Sequence, residues 1–415
     1  MRFVHISDSH LGASGFSRRL SPSGYNQREE DICNSFASAV DQIIQLSPDF
    51  VLHTGDLFHS VRPTNRIINF ALRQILRMVN LSQDPEFGQI PMVIISGNHD
   101  TPKQRSVGSV FSFFEVFSPF LQLVYKNKYE CIHINHTAIH AIPHCLDQEN
   151  FREELAKVRI DQEAKYNILM LHGVVAGIPE FSMGELSEQE IPTSYLKTRN
   201  SGFDLGFDYV ALGHYHRHCQ VAPLVIYAGS TERLSLSELG QEKGFVEVEI
   251  QDSPPKADPP LAEKFNVQNS NFKFHPVVCR DMIELPTLDA SDLDPDGVYQ
   301  GIEERTNSSA GSWGQDIIDK IVRLKIINVP EHVYSSLDFR KITELKSKAF
   351  HFDLRFERKD EKEKTFTTEA PIGKLPLEFQ QYVKQAVVEN LDKDRLLELG
   401  LKYLTEKKIT DDGSE

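Results

Sequence analysis

Five short stretches of the chain place side chains that can bind metal ions directly after a run of apolar residues. In the first stretch, RFVHISDSH, the residues Asp8 and His10 follow a strand-forming run. Residues two apart in a strand point to the same side, so these two side chains can face one point. A carboxylate and an imidazole are ligands that divalent metal ions accept. A polar strand end that faces water would explain one such pair equally well.

The same arrangement recurs four more times, often with glycine beside the ligand-type residue. Glycine at such a position lets the backbone approach an ion closely. Each motif alone is compatible with a structural role, but five of them at five strand ends point to one metal site. The residues concerned are Asp8, His10, Asp56, Asn98, His172, His214 and His216.

The elements that would position these residues are strands alternating with amphipathic helices. Apolar residues recur at helical spacing in a first helix near residues 32–44 and in a second over 64–79. The alternation predicts an α/β fold, a sheet covered by helices, and sites in such sheets assemble at the carboxyl ends of the strands. The expected strands are residues 3–6, 50–53, 92–95, 133–134 with 138–141, 168–171, 209–212, 225–228 and 245–250.

The ligand types predict the chemistry of the site. Carboxylate, amide and imidazole groups without sulfur favour manganese, iron or zinc, and seven ligands suit two ions rather than one. A central aspartate can bridge two cations about 3.5–4 Å apart, the spacing of two-metal hydrolytic sites. Such a pair binds phosphate oxygens, acidifies a water molecule and neutralises charge on the leaving oxygen. We therefore predict hydrolysis of a phosphoester.

Composition narrows the possible environments and partners. The 415 residues carry a net charge of −15, so binding to nucleic acid would need a local patch, metal ions or a partner. Five scattered cysteines without a C-x-x-C motif fit a reducing cytoplasm and argue against disulfides and a thiolate zinc site. No apolar run is long enough for a membrane helix, and the first residues do not resemble a signal peptide. We expect a cytoplasmic protein without a membrane segment.

The second half of the chain shows a change of organisation. A polar stretch over residues 251–271 contains four prolines and is typical of a linker. Strand and helix patterns then restart and predict a small α+β domain. A charged stretch over 358–369 precedes two amphipathic helices, expected at 377–391 and 393–405. The predicted domains are residues 1–255, 275–358 and 375–406.

The motifs D-x-H, G-D, G-N-H-D, a single H and G-H-x-H, in this order, resemble those of the calcineurin-like metallophosphoesterase family. The resemblance implies a two-sheet β-sandwich core flanked by helices, and two bound metal ions. His99 matches the family's catalytic histidine, which stabilises or protonates the leaving group. By the same resemblance, Asp8, His10 and His216 hold one ion, Asn98, His172 and His214 hold the other, and Asp56 bridges them.

Further motifs are similar to those of the nuclease subunit of the double-strand-break repair complex, the meiotic-recombination-eleven or bacterial SbcD type. They are the opening HISDSHLG, R-x-x-D at residues 28–31, GDLFH and YAGSTER. This resemblance covers residues 1 to about 250 and implies an exonuclease and endonuclease that uses Mn²⁺ on DNA. His59 matches a second catalytic histidine. The small domain matches the family's DNA-capping domain in element order only, and the tail helices match, in position only, the segment that docks on an SMC-like ATPase.

Basic and apolar residues near the predicted site suggest further contacts. Lys103, Arg105 and Arg217 stand beside the metal motifs, where a phosphate backbone would pass. Arginines along the helix at 64–79 form either a plain solvated face or a basic surface. A helix over about 106–117 would be apolar around most of its girth, so its second side would be covered either by the helix at 64–79 of the same chain or by the same pair of helices from another subunit. The resemblance to the nuclease family implies a dimer through helices in this part of the chain, and we therefore expect a homodimer.

Two other functions are compatible with the motifs. A small-molecule phosphodiesterase or phosphomonoesterase would use the same metal site, but it would need a closed pocket and leaves the C-terminal third unexplained. A non-catalytic interaction module on the same fold would be expected to have lost a ligand position, and none is lost.

Overall fold

The structure is a computed structural model that divides into two compact units, Met1–Phe356 and Glu357–Glu415. No helix within its described residues is both long and apolar enough to cross a membrane. The described residues are 1–16, 19–79, 89–104, 107–117, 120–184, 188–198, 206–250, 270–307, 316–358, 379–380, 383 and 393–406.

The described part of the chain contains both strands and helices throughout. The strands are β1 (Arg2–Ile6), β2 (Phe50–Thr54), β3 (Met92–Ile95), β4 (Leu121–Val124), β5 (Glu130–Ile134), β6 (Thr137–Ala141), β7 (Tyr166–His172), β8 (Val174–Val175), β9 (Glu190–Ile191), β10 (Tyr209–Gly213), β11 (Cys219–Ala222), β12 (Val225–Tyr227), β13 (Gly244–Ile250), β14 (Ser270–Pro276), β15 (Met282–Glu284), β16 (Leu288–Asp289), β17 (Ile321–Val329) and β18 (His351–Arg358). The helices are α1 (Gln27–Leu46), α2 (Asn65–Val79), α3 (Gln148–Leu155), α4 (Pro295–Thr306), α5 (Glu331–Ser335), α6 (Phe339–Lys346) and α7 (Lys393–Glu406).

Two six-stranded sheets form the body of the first unit. The first sheet has the order β14-β13-β1-β2-β3-β4, and the second has the order β11-β12-β10-β7-β6-β5. Strands β1 to β4 are parallel to one another, as are β6, β7, β10 and β12. Antiparallel strands lie at the margins, where β13 and β14 extend the first sheet and β5 and β11 close the second.

The sheets pack face to face over one apolar core and carry further cores on their outer faces. Phe3 and Phe50 of the first sheet and Ile168 of the second are buried between the layers. Helices α1 and α2 cover the outer face of the first sheet through residues such as Phe36 and Ile75. The predicted two-sheet sandwich flanked by helices is confirmed, and it replaces the open sheet that the alternation of elements alone suggested.

A smaller α+β region follows strand β14. Strands β15, β17, β16 and β18 form a four-stranded sheet, whose apolar residues pack with those of α4 and α6 into a core of their own. Arg280 links this region to the body, because its guanidinium donates to Asp31 of α1 at 2.5 and 2.8 Å and to the Asp319 carbonyl oxygen at 2.7 Å.

Most predicted strands and helices are found within a residue or two of the expected limits. The predicted helix over 106–117 is wrong: its described part contains two short 3₁₀ turns, Val110–Phe113 and Glu115–Phe117. Strand β14 was not predicted, and it carries the first sheet beyond residue 255. Helix α7 matches the expected 393–405, whereas nearly all of 377–391 lies outside the described residues. The three domain limits remain a prediction.

Candidate metal centre

The carboxyl ends of five parallel strands meet at one edge of the sandwich. The first sheet contributes side chains after β1, β2 and β3, and the second contributes side chains at the end of β7 and after β10. All seven predicted ligands are buried there, namely Asp8, His10, Asp56, Asn98, His172, His214 and His216.

One group of ligand atoms belongs to Asp8, His10 and His216, which lie within 4.8 Å of one another. The Nε2 atoms of His10 and His216 are 3.0 Å apart, so the two lone pairs need a shared proton or a cation between them. The other nitrogen of His216 contacts Glu238 at 3.1 Å. Burial acts to raise the pKa of Glu238, but His216 and Lys243 lower it to about 2. Glu238 is therefore a carboxylate that orients the His216 ring.

A second group contains Asp56, His172 and His214, again within 4.8 Å. The Nδ1 atom of His172 donates to the Thr54 carbonyl oxygen at 2.7 Å, which turns Nε2 toward Asn98 Oδ1 at 2.9 Å and Asp56 Oδ2 at 3.4 Å. Burial acts to lower the pKa of His172, but the Asp56 carboxylate raises it to about 10. The oxygens of Asp56 and Asn98 beside His172 Nε2 therefore favour a positive charge at this point, which a metal ion would supply.

Asp56 lies between the two groups. Its Oδ2 atom is 3.7 Å from His10 Nε2 and 3.4 Å from His172 Nε2, while Oδ1 accepts from the main-chain N–H of His99 at 2.8 Å. Burial opposes ionisation, yet His172 and His10 hold the pKa of Asp56 well below its usual range. The position and charge of this carboxylate fit a ligand shared by two ions.

The backbone at the site adopts conformations that most residues avoid. Asp8, His10, Asp56 and His214 have φ angles of 49°, 44°, 53° and 100°. Such angles are uncommon for residues other than glycine and concentrate at functional sites. They turn the chain sharply after each strand, so that the side chains point into the cluster.

Two glycines permit close packing of the loops around the ligands. A Cβ atom on Gly97 would lie 2.2 Å from Asp56 Oδ1, and one on Gly213 would lie 2.0 Å from the Thr54 carbonyl oxygen. Both distances are far below van der Waals contact, so only glycine fits without movement.

His59 and His99 lie at the margin of the cluster. Their rings stack at 5.1 Å between centroids, and the His10 ring lies 5.3 Å from His59 and 4.7 Å from His99. The Nδ1 atom of His99 is 3.2 Å from the His59 carbonyl oxygen. His59 is exposed and His99 is half-buried. Both predicted catalytic histidines are therefore beside the ligand cluster and within reach of a molecule from solvent.

Three carboxylates at the site were not assigned from the sequence. Asp100 accepts from the N–H groups of Leu57 and Gly97 at 2.8 and 3.1 Å and so joins the loops after β2 and β3. Burial and the Asp56 charge raise the pKa of Asp100 to about 8. Glu188 contacts His214 Nε2 at 3.2 Å. Asp100 stands within the G-N-H-D motif, whereas Glu188 and Glu238 follow no strand and carry no comparable signal.

A groove beside the cluster carries the predicted basic residue Lys103. The cavity measures about 710 Å³, and its lining includes Asn98, His99, Lys103 and Arg62. Arg217 is exposed next to the ligand His216, and Arg105 lies outside the described residues.

The arginines of α2 are partly neutralised. Arg66 forms an ion pair with Glu29 and lies over the Tyr25 ring at 4.0 Å, and Arg77 pairs with Asp41. Both ion pairs connect α2 to α1, so these two arginines have a structural role in the packing of the helices.

Comparisons with known proteins agree with the motifs. The profile of the family described as calcineurin-like phosphoesterase matches residues 1–218. The chain is 31% identical to a DNA double-strand break repair protein Mre11 of Methanococcus maripaludis, over 59% of this chain and 60% of that protein. Proteins of the same name from Methanocaldococcus jannaschii and Thermoplasma acidophilum are 28% and 27% identical, over 70% and 60% of this chain and 70% and 61% of theirs.

The matched stretch thus spans roughly 60 to 70% of the length of these relatives. A solved structure, a purple acid phosphatase of yellow lupin, is 18% identical over 60% of this chain and 49% of its own, with a TM-score of 0.34. That score is too low to add to the family assignment.

Proposed function

We propose that this chain, which belongs to the calcineurin-like phosphoesterase family, is a metal-dependent nuclease that hydrolyses DNA phosphodiester bonds in double-strand-break repair. The observation that carries the proposal is the convergence of seven ligand side chains from two sheets, with two further histidines beside them. The relatives named for double-strand break repair support DNA as the substrate.

The ligand set fits two divalent ions, with Mn²⁺ as the first choice among those that oxygen and imidazole ligands suit. In our assignment, one ion takes Asp8, His10 and His216, the other takes Asn98, His172 and His214, and Asp56 is shared. When bound, the pair supplies an acidified water nucleophile and neutralises charge on the phosphate. Glu238 and the Thr54 carbonyl oxygen hold the rings of His216 and His172 in place.

His99 and His59 have a different role in the proposal. The main-chain N–H of His99 is fixed by Asp56, and its ring is fixed by the stack on His59. We assign to His99 the proton that the leaving oxygen takes up as the P–O bond breaks. His59, exposed on the outer side of the stack, positions His99 and the phosphate.

The groove next to His99 favours a polymer over a small molecule. Arg62, Lys103 and Gln104 line it and are exposed, so its wall is open to solvent and carries cations. A backbone phosphate can lie along such a wall. Arg217 is also exposed and stands beside the ligand His216 in the sequence. We propose that Lys103, Arg105 and Arg217 contact the phosphates that flank the scissile bond.

We further propose that the protein works in the cytoplasm as a homodimer with an SMC-like ATPase. The ATPase would dock on the C-terminal helices, of which α7 is described. Partners would also supply the positive charge that a chain of net charge −15 lacks. Removal of the chain after Thr368 is expected to abolish association with the ATPase and to leave phosphodiester hydrolysis intact.

The proposal is tested by the choice of substrate. Purified protein with Mn²⁺ would be given end-labelled linear duplex DNA and, separately, bis-p-nitrophenyl phosphate. We expect hydrolysis of both, loss of both in Asp56→Ala, and recovery of neither with excess Mn²⁺. Turnover of small phosphoesters with no cleavage of DNA, with or without the ATPase, would instead assign the site to a small-molecule enzyme.

A further inference from the structure

A second group of metal-ligand side chains lies on the second sheet, away from the strand ends that carry the phosphoesterase centre. Cys131 and His133 are two residues apart on β5, the edge strand, and both side chains are exposed. Ile132, which lies between them, and Ile134, which follows His133, pack against the core between the sheets. The alternation of the strand therefore directs the thiol and the imidazole to the same outer side.

Asp161 completes this group from the loop that follows α3. The ligand atoms of Cys131, His133 and Asp161 all lie within 4.8 Å of one another, and Asp161 Oδ2 is 2.7 Å from His133 Nε2. The other oxygen of Asp161 accepts from the N–H of Glu163 at 2.9 Å. Its own N–H donates to Asn167 Oδ1 at 2.7 Å. The carboxylate is thus held in one orientation, facing the edge strand.

We propose that Cys131, His133 and Asp161 form a second metal site, selective for a borderline-soft divalent ion of the Zn²⁺ class. Thiolate, imidazole and carboxylate are all protein ligands of zinc, and a site with three of them leaves the fourth tetrahedral position open to water. Two negative ligands and a neutral imidazole balance the charge of one divalent ion. In a tetrahedral site the ligand atoms would be about 3.3–3.8 Å apart, so small side-chain rotations close the group.

Ligand chemistry separates this site from the phosphoesterase centre. The centre offers only oxygen and nitrogen ligands, which suit Mn²⁺, whereas Cys131 adds a soft thiolate that Mn²⁺ does not favour. The sequence argued against a thiolate zinc site because no C-x-x-C motif is present. The sequence could not reveal the group of Cys131, His133 and Asp161, because Asp161 comes from a different element and only the fold brings it near the other two.

A bound ion would join the edge strand β5 to the loop around Asp161. A hydrogen bond between His133 and Asp161 already joins these two elements, through side chains that are 57% and 26% exposed. A metal bridge would protect this edge, which otherwise leaves main-chain groups available for unwanted strand pairing.

The test uses Co²⁺ and Cd²⁺, because both produce a thiolate-to-metal charge-transfer absorption band that ligands without sulfur cannot give. Full-length protein, reduced with a phosphine rather than a thiol, would be titrated with each ion. We expect one equivalent of the charge-transfer band in the wild type and none in Cys131→Ser. His133→Gln and Asp161→Asn should weaken the apparent affinity at least about tenfold, since each removes one of three ligands. Mn²⁺-dependent hydrolysis of bis-p-nitrophenyl phosphate should be unchanged in Cys131→Ser.

Cys219→Ser is the matched control, because Cys219 is a half-buried thiol outside this group and its removal should leave the band intact. The proposal is overturned if the wild type shows no band with either ion. It is also overturned if the band survives in Cys131→Ser or is lost in Cys219→Ser. These outcomes do not depend on the nuclease proposal, since the phosphoesterase centre contains no cysteine.

Discussion

Two buried histidines of this chain, His5 and His172, differ in the groups that face their ring nitrogens. His5 bonds Tyr209 Oη through Nδ1 and Thr54 Oγ1 through Nε2, each at 2.9 Å, and both partners are neutral hydroxyl groups. Burial lowers its pKa to about 3. His172 faces the Asp56 carboxylate, and its pKa is raised. His5 is therefore a neutral core residue, whereas the Asp56 carboxylate beside His172 favours positive charge at that point.

The pKa of His5 predicts sensitivity to acid. A buried histidine with a pKa of about 3, against 6.5 when unfolded, stabilises the fold fully above pH 6.5 and loses that contribution as the pH falls. At about 1.4 kcal/mol per pH unit, roughly 3 kcal/mol should be lost between pH 6.5 and pH 4. His5→Gln, which cannot titrate, should show a correspondingly smaller decrease in the free energy of unfolding, measured by denaturant titration in EDTA. Parallel pH profiles for the two proteins would contradict the assignment.

His99 should be separable from the metal ligands by mutation. His99→Ser keeps the main-chain N–H that donates to Asp56, so the ligand cluster should survive. We expect normal Mn²⁺ content and DNA affinity with a rate lower by about 10²–10⁴, the usual contribution of a general acid. Metal content by atomic spectroscopy and single-turnover cleavage rates would be measured together. The adjacent substitution Asn98→Ala is the contrast, since it should lower the metal content as well.

At the scale of elements, strand ends were predictable because each carries its own local signal. Strands β1, β2, β3, β7 and β10 are short apolar runs followed at once by polar residues, so both the strand and its ligands can be read from the sequence. The sequence could not show how the strands divide between two sheets, since this depends on contacts between distant residues. The same limit hid Glu188, which reaches His214 from a loop.

The predicted helix at 106–117 failed for a local reason. Its apolar residues have helical spacing, but serines compete with the helix for backbone groups. Ser109 Oγ accepts from the N–H of Phe111 at 3.3 Å, and Ser112 Oγ donates to the Ser109 carbonyl oxygen at 2.8 Å. These bonds favour two tight turns, which still bury Val110 and Phe111. Spacing thus predicted which residues are buried better than it predicted the conformation.

Gly213 at the end of β10 should be essential for the approach of the two sheets. An added methyl group would meet the Thr54 carbonyl oxygen at 2.0 Å, so the ends of β10 and β2 must separate. We expect Gly213→Ala to lower the free energy of unfolding by about 1–3 kcal/mol, the usual cost of overpacking, and to reduce Mn²⁺ binding. Gly108→Ala is the matched control, because nothing lies within 4 Å of its added Cβ atom. Equal stability and metal content in the two variants would show that the sheet ends can move apart freely.

At the scale of the whole molecule, the two 3₁₀ turns present an apolar surface. Phe113 and Val116 are 69% and 77% exposed, while Phe111 and Phe114 beside them are buried in the core. Large apolar side chains exposed next to one another are typical of interaction surfaces. A second copy of the chain is the partner we propose, related by a two-fold axis. Phe117, which ends the second turn, is half-buried and packs against the core.

Phe113→Glu combined with Val116→Glu should therefore yield a monomer. Each glutamate would place an unpaired charge in the proposed interface, which costs more than the lost apolar contact. Sedimentation velocity at micromolar concentration would measure the change, with Mn²⁺ content as a check on folding. Val278→Glu is the control, because Val278 is 85% exposed elsewhere on the body. A wild-type protein that sediments as a monomer would remove the basis for this prediction.

The division of the ligand cluster between two sheets also has a mechanical consequence. Asp8, His10, Asp56 and Asn98 follow strands of one layer, and His172, His214 and His216 belong to the other. Ions held between them would join the two sheets at this edge of the sandwich. Chelation would therefore loosen this edge before the rest of the molecule unfolds. Because the ions bind only the folded form, they would stabilise it by mass action. Hydrogen exchange of the main-chain amides at the carboxyl ends of β2 and β10 would then report on the metal occupancy of the centre. Amides at the opposite ends of these strands should exchange slowly whether or not metal is bound.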